Sequence, residues 1–222
     1  MIKLSNKTNL YDYNEINNIN DYIFFDFHKD IKYSKKILKR ILKYKDNYTN
    51  IVIKNYSNEI IDILKAIYLN EDKRYEFIYD NICNRLDNKW DKYNPCKFCN
   101  NQCISAINNY MDQKYNGCCY EFKRKRFGKV DKKPCRYLSE NKKCKTSNIS
   151  CKLFTCNYLK KYTNFQTNYD DYLLLNIFFN KKQKLIIKYN FFKTREEILN
   201  KLNEKSNKPY FLYLLCLDFM IK

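Results

Sequence analysis

Residues 57–86 read Ser57-Asn-Glu-Ile60-Ile-Asp-Ile63-Leu64-Lys-Ala-Ile67-Tyr68-Leu-Asn-Glu-Asp-Lys-Arg-Tyr75-Glu-Phe-Ile78-Tyr79-Asp-Asn-Ile82-Cys83-Asn-Arg-Leu86. Ile60, Ile63, Leu64, Ile67 and Tyr68 recur at the helical period behind Ser57, a residue type that caps helix N-termini. Tyr75, Ile78, Tyr79, Ile82 and Leu86 repeat the pattern and predict a second amphipathic helix. Upstream, Ile37, Leu38, Ile41 and Leu42 have the same spacing within a Lys-rich run, and Tyr22–Phe27 and Ile51–Ile53 are short β-prone runs. Downstream, Thr194-Arg-Glu-Glu197 is a capping box opening a helix through Ile198, Leu199 and Leu202. Pro209 suits the first turn of a final apolar helix that carries Cys216. Tyr172–Phe179 and Leu185–Phe192 are apolar runs whose type the pattern leaves open. The expected class is mainly α with minor β. Cys83 and Cys216 both read as small apolar core side chains.

The chain has 222 residues, 45% hydrophobic and 17% aromatic. That is room for one domain or two small ones, with enough apolar surface to bury a core and fold. Its 2 Gly exclude the Gly-rich dinucleotide and Walker-type phosphate cradles. Its 1 His, His28, excludes H-E-x-x-H and zinc sites built from two or three imidazoles. Lys+Arg is 43 against 24 Asp+Glu, a formal charge of +19. Lys, Asn, Ile, Tyr and Phe, the residues that AT-rich codons favour, are all heavily used, so part of this basicity is compositional. The charge still predicts salt-sensitive attraction to polyanions. Met1–Thr8 has no apolar core of signal-peptide length. The longest apolar stretches, Tyr172–Phe179 and Tyr210–Ile221, fall short of the roughly 18–20 residues of a membrane span. A soluble, cytoplasmic protein with no membrane partner is expected, and in that reducing compartment clustered cysteines serve as metal ligands or redox groups more often than as disulfides.

Nine of the 11 cysteines fall between residues 96 and 156: Cys96, Cys99, Cys103, Cys118, Cys119, Cys135, Cys144, Cys151 and Cys156. Gly117 and Gly128 lie in the same segment, and Pro95 and Pro134 each directly precede a cysteine. Turn formers concentrated among thiols are what a metal-pinned segment requires, because the backbone must bend to bring several sulfurs within ~2.3 Å of one ion. Three zones follow: an α-rich region with minor β over residues 1–92, a cysteine-cluster metal-binding segment over 93–156, and a helical region over 157–222. They form one compact unit in this expectation, with helical flanks around an irregular cysteine-rich segment.

Cys96-Lys-Phe-Cys99 is a C-x-x-C knuckle, extended by Cys103. The resulting order is the reverse of the radical S-adenosylmethionine spacing, and no Gly-rich segment follows, so that chemistry is excluded. Further on stand Gly117-Cys118-Cys119, Pro134-Cys135-Arg-Tyr-Leu138, Cys144 and Ser150-Cys151-Lys-Leu-Phe154. This succession resembles the YkgJ-like cysteine-cluster family, whose members have a double cysteine, a later Cys-Pro-aromatic-Leu segment, a further Cys and a closing Cys-Arg-aromatic segment. The resemblance covers residues 96–156. It implies a zinc- or iron-chelating segment in which Cys118 and Cys119 stand for the double cysteine, Cys135, Cys144 and Cys151 for the later ones, and Cys99 and Cys103 for the opening pair. Here 14 residues separate Cys103 from Cys118, Pro134 precedes its cysteine, and Lys152 stands where the family has Arg. A related cluster in flagellin lysine methylases resembles an iron–sulfur ligand set, which implies a methylase-like enzyme as one alternative. Four thiolates suit either a 4Fe–4S cluster or a structural zinc ion. One such site leaves five of the nine thiols over; two leave one.

Residues 96–156 hold 14 Lys/Arg and 4 Asp/Glu, with Lys123-Arg124-Lys125-Arg126 the densest run, between Phe122 and Phe127. The run reads as a docking patch for nucleic acid, as counter-charge to anionic thiolate–metal centres, or as a solvated surface. Asp170-Asp171 and Glu196-Glu197 are adjacent carboxylates without the partners that acid–base catalysis needs. No catalytic constellation is visible. Iron–sulfur or zinc binding, in a structural or redox role, is the expected function, and a zinc-stabilised nucleic-acid module is the other alternative.

Overall fold

The computed structural model of the chain describes residues 1–16, 19–27, 31–97, 103–107, 120–124, 130–134, 148–204 and 216. Its elements are β1 (Ile2–Lys3), β2 (Asn9–Asp12), β3 (Tyr22–Asp26), α1 (Ile31–Tyr44), β4 (Asn50–Lys54), α2 (Asn58–Ile67), α3 (Glu71–Tyr93), α4 (Ile104–Ile107), β5 (Tyr120–Arg124), β6 (Val130–Pro134), α5 (Ile149–Leu153), α6 (Asn157–Tyr162), α7 (Leu173–Phe178), α8 (Lys181–Tyr189) and α9 (Arg195–Asn203). The protein is mainly α with minor β. Of the two apolar runs of open type, the first forms α7 and the second closes α8 at Tyr189, with Asn190, Phe191 and Phe192 beyond the helix. Two compact units emerge, Met1–Ile78 with Tyr172–Asn180, and Tyr79–Asp171 with Lys181–Lys222.

The first unit is built on a sheet of order β1-β2-β4-β3, with β1 antiparallel to β2 and both β2 and β3 parallel to β4. Parallel neighbours need a crossover, and α1 supplies it between β3 and β4. β4 is central, so Ile51, Val52 and Ile53 are all buried, as a near-continuous apolar strand should be. Leu38 and Ile41 of α1 and Ile60, Ile63, Leu64 and Ile67 of α2 complete that core. Ser57 takes the extended cap position of α2, yet its side chain makes no cap bond. The C-terminal end of α2 is closed instead by Arg74, which donates to the carbonyls of Ala66 (2.8 Å) and Leu69 (2.6 Å). α7 joins this unit through the Leu173 N–H, which donates to Glu59 Oε1 at 2.9 Å.

The second unit packs α5, α8 and α9 with the Tyr79–Tyr93 part of α3. Tyr79, Ile82, Leu86, Ile149, Ile186, Ile187 and Ile198 fill its interior. Arg195 grips Asp80 with two bonds of 2.7 Å. The capping box of α9 forms as expected: the Glu197 N–H donates to Thr194 Oγ1, and the Thr194 N–H donates to Glu197 Oε2. β5 and β6 pair as an antiparallel hairpin. Cys216 is exposed, contrary to its expected place in a core. The run Tyr210–Ile221 is apolar at nearly every position, so its pattern names no inward face and could not place this side chain.

Candidate metal centre

Of the nine clustered cysteines, Cys96, Cys103, Cys151 and Cys156 are described. Cys99, Cys118, Cys119, Cys135 and Cys144 lie outside the described residues, as do His28, Lys125 and Arg126. Lys123 and Arg124 fall on β5, where their backbones pair with Asp131 and Val130. None of the described cysteines forms a disulfide.

The segment after α3 turns sharply. The Asn94 N–H donates to the Trp90 carbonyl at 2.8 Å, and the Lys97 N–H donates back to the Asn94 carbonyl at 3.3 Å. Asn94 (φ 37) and Lys97 (φ 41) both sit in the left-handed region. A residue with a Cβ pays for that conformation with roughly 1–2 kcal/mol, so the turn holds Cys96 in place against a local penalty. The Ile104 N–H donates to the Cys96 carbonyl at 2.9 Å. This bond returns the chain, so that Cys103 lies next to the residue bonded to Cys96. Cys103 is buried and Cys96 half-buried.

Cys156 reaches the same place from the other side of the sequence. It occupies the cap position of α6, which buries Tyr158 and Leu159. Tyr158, Leu159 and Phe165 form a small apolar cluster against which Trp90, Cys96, Ile104 and Cys156 all pack. Trp90 fixes the arrangement: its ring lies 4.5 Å from that of Phe165, and its Nε1 donates to the Lys152 carbonyl at 2.9 Å. The two half-buried thiols, distant in sequence, thus share one apolar floor.

Cys151 occupies different surroundings. Its N–H donates to Asn148 Oδ1 at 2.8 Å at the start of α5, and its side chain is buried. The Ile149 N–H donates to the Tyr79 hydroxyl at 3.1 Å. Burial pushes the Tyr79 phenol well above its ordinary range, and Cys83 and Cys151 both add to that shift. Cys83 is a buried thiol on a helix, as its spacing predicts, and burial pushes it up to about 12. At 1.5 Å per residue, Tyr79 and Trp90 stand about 16 Å apart along α3. Between these levels Lys152, itself buried, pairs with Asp87.

Among the described residues, no three His, Cys, Asp or Glu side chains are grouped to hold a metal ion. The carboxylate pairs do other work. Glu197 belongs to the cap, where the Thr194 N–H chiefly holds its carboxyl below the usual range, and Asp171 accepts the Asn168 N–H. Among the described residues no helix is long and apolar enough to cross a membrane. The aromatic anchors Trp90 and Phe165 escape a search for chemistry-bearing residues, but the dipeptide Asn94-Pro95 is a turn signal and marks the bend. Comparison of the chain with protein-family models, with curated proteins and with solved structures returns no match.

Proposed function

We propose that the chain binds a metal through thiolates of the 96–156 segment, as an iron–sulfur cluster or as zinc, in a structural or redox role. One observation carries this reading: Cys96 and Cys156 pack against the same apolar cluster, with Cys103 returned toward Cys96 by the Ile104 bond. The donor chemistry fits, since a thiolate-only set suits both centres and needs no imidazole. Cys96 and Cys156 would each offer a thiolate at this floor. All nine cysteines from Cys96 to Cys156 are candidate ligands, enough for one four-thiolate site or for two. When bound, the metal would supply cross-links to a loop-rich segment or, as an iron–sulfur cluster, one-electron chemistry.

The test is elemental analysis of the anaerobically purified full-length protein with its visible spectrum alongside. Brown protein with iron and acid-labile sulfide identifies a cluster; colourless protein with stoichiometric zinc identifies a zinc site. Cys96→Ala, Cys135→Ala and Cys151→Ala lower the metal content, whereas Cys216→Ala leaves it unchanged. Wild-type protein without metal, or equal loading in all four variants, ends the proposal.

A further inference from the structure

A cavity of about 570 Å³ opens beside the Cys96 turn, within the ~300–1,000 Å³ typical of small-molecule sites. Its lining includes Lys89, Tyr93, Lys97, Asn164, Phe165 and Gln166, with no carboxylate among the described residues. The rings of Tyr93 and Phe165 lie 6.0 Å apart at 60°. Phe165 is buried against Trp90, whereas Tyr93 is 59% exposed with the Lys92 Nζ 5.5 Å from its ring centroid, so one ring is anchored and the other lies at the surface. Lys89 is held in the wall: its Nζ donates to the Gln166 carbonyl at 2.6 Å and lies 5.6 Å from the Phe165 centroid. Lys97 is exposed on the left-handed residue that closes the turn, and Asn164 and Gln166 are exposed carboxamides.

An exposed aromatic ring, two ammonium groups and carboxamides, with no carboxylate among the described lining residues, are complementary to a planar base joined to a phosphate. Stacking on the ring is tolerant of base identity, the amides can meet base edges, and the ammoniums neutralise the phosphate. We propose that this cavity binds a nucleoside-phosphate unit, its base on Tyr93 and its phosphate at Lys97, as a free nucleotide or as one residue of a single strand. The +19 charge of the chain favours encounter with either. This goes beyond metal binding and does not depend on it.

The chain has a built-in reporter, because its 1 Trp, Trp90, rests on Phe165 behind the cavity. Full-length protein is titrated with adenosine 5′-monophosphate, with single-stranded oligoadenylate and with inorganic phosphate, following Trp90 emission. A saturable change is expected with the nucleotide or the strand and none with phosphate. Tyr93→Ala weakens binding about 5- to 100-fold, as loss of one stacked base does. Lys97→Gln lowers the slope of log affinity against log salt by about one. Saturation by the nucleotide identifies a free-nucleotide site; saturation by the strand alone identifies a single-stranded partner, and both support the proposal. Both substitutions are at exposed positions, and the ligand-free Trp90 spectrum checks that the fold persists. No response to nucleotide or strand, an equal response to inorganic phosphate, or affinities unchanged in both variants overturns it. Because the readout needs no metal, its failure is separable from failure of the metal reading.

Discussion

Two groups of cysteines lie along α3, one near Tyr79 and one near Trp90, residues about 16 Å apart on its axis, and their surroundings differ. At the Tyr79 layer, Cys83 and Cys151 are buried, the nearby polar groups are hydrogen-bonded, and the Cys83 thiol is held protonated far above neutrality. At the Trp90 layer, Cys96 and Cys156 are half-buried, the backbone is bent through two left-handed residues, and a cavity adjoins them. Cysteine reactivity follows thiolate character and access, so the first layer is built for packing and the second is open to chemistry. The two groups share a residue type; the surroundings make the difference.

The sharpest way to break this comparison is through Asn148. Its Nδ2 donates to the carbonyls of Asn190 (2.7 Å) and Lys193 (2.8 Å), while its Oδ1 caps α5. Asn148→Leu strands one buried carbonyl, one partly buried carbonyl and one N–H, and is expected to destabilise by roughly 3 kcal/mol. A urea midpoint unchanged by this substitution would show that the inner layer does not depend on its polar network.

Asp87→Ala comes next. It leaves the Lys152 ammonium buried without its carboxylate, and because Asp87 is itself partly exposed the loss should be about 2 kcal/mol rather than the 3–5 of a fully buried pair. Lys152→Met in the same background should recover most of it, and a double-mutant cycle measures that coupling.

Cys83 supplies a pH test. Its folded value of about 12 lies above the ordinary 9.0, so the native state binds this proton more tightly than the unfolded chain. That contribution is complete below about pH 9 and is lost as pH rises toward about 12. Cys83→Ala should therefore flatten the alkaline limb of stability against pH. Thiol labelling at pH 8 makes the same distinction in metal-free protein, with Cys96 modified rapidly and Cys83 spared until the chain opens.

The smallest effect is at the turn. Asn94→Gly and Lys97→Gly remove the left-handed penalty and should each stabilise by up to about 1 kcal/mol, offset in part by the entropy of glycine. Thermal melts that fall in both variants would show that these two side chains hold the turn by contacts of their own.

Legibility in the sequence followed apolar periodicity. Leu38 and Ile41, the Ile60–Ile67 face, the Tyr75–Leu86 face and the Ile51–Ile53 strand all emerge from spacing and are all buried. β2 was missed because Asn9-Leu-Tyr-Asp12 turns only Leu10 fully into the core, too little for a period of two to register. α5 was missed for a different reason. Asn148, Ser150 and Asn190 are buried because they satisfy one another and nearby carbonyls, and such polar complementarity has no signature along a single chain. Of the candidate site, the Asn-Pro bend and the thiols were legible. The shared Tyr158–Leu159–Phe165 floor was not, because it is assembled from contacts distant in sequence.

The Tyr79 hydroxyl also bears on how this chain ages. Asparagine deamidates when the following backbone nitrogen attacks its carboxamide, and for Asn148 that nitrogen belongs to Ile149, which is held by Tyr79. An aspartate there would turn a second acceptor toward the Asn190 and Lys193 carbonyls and undo the layer from within. The phenol therefore acts as a preservative, and mass spectrometry of long-stored protein should find Asn148 intact while exposed asparagines convert.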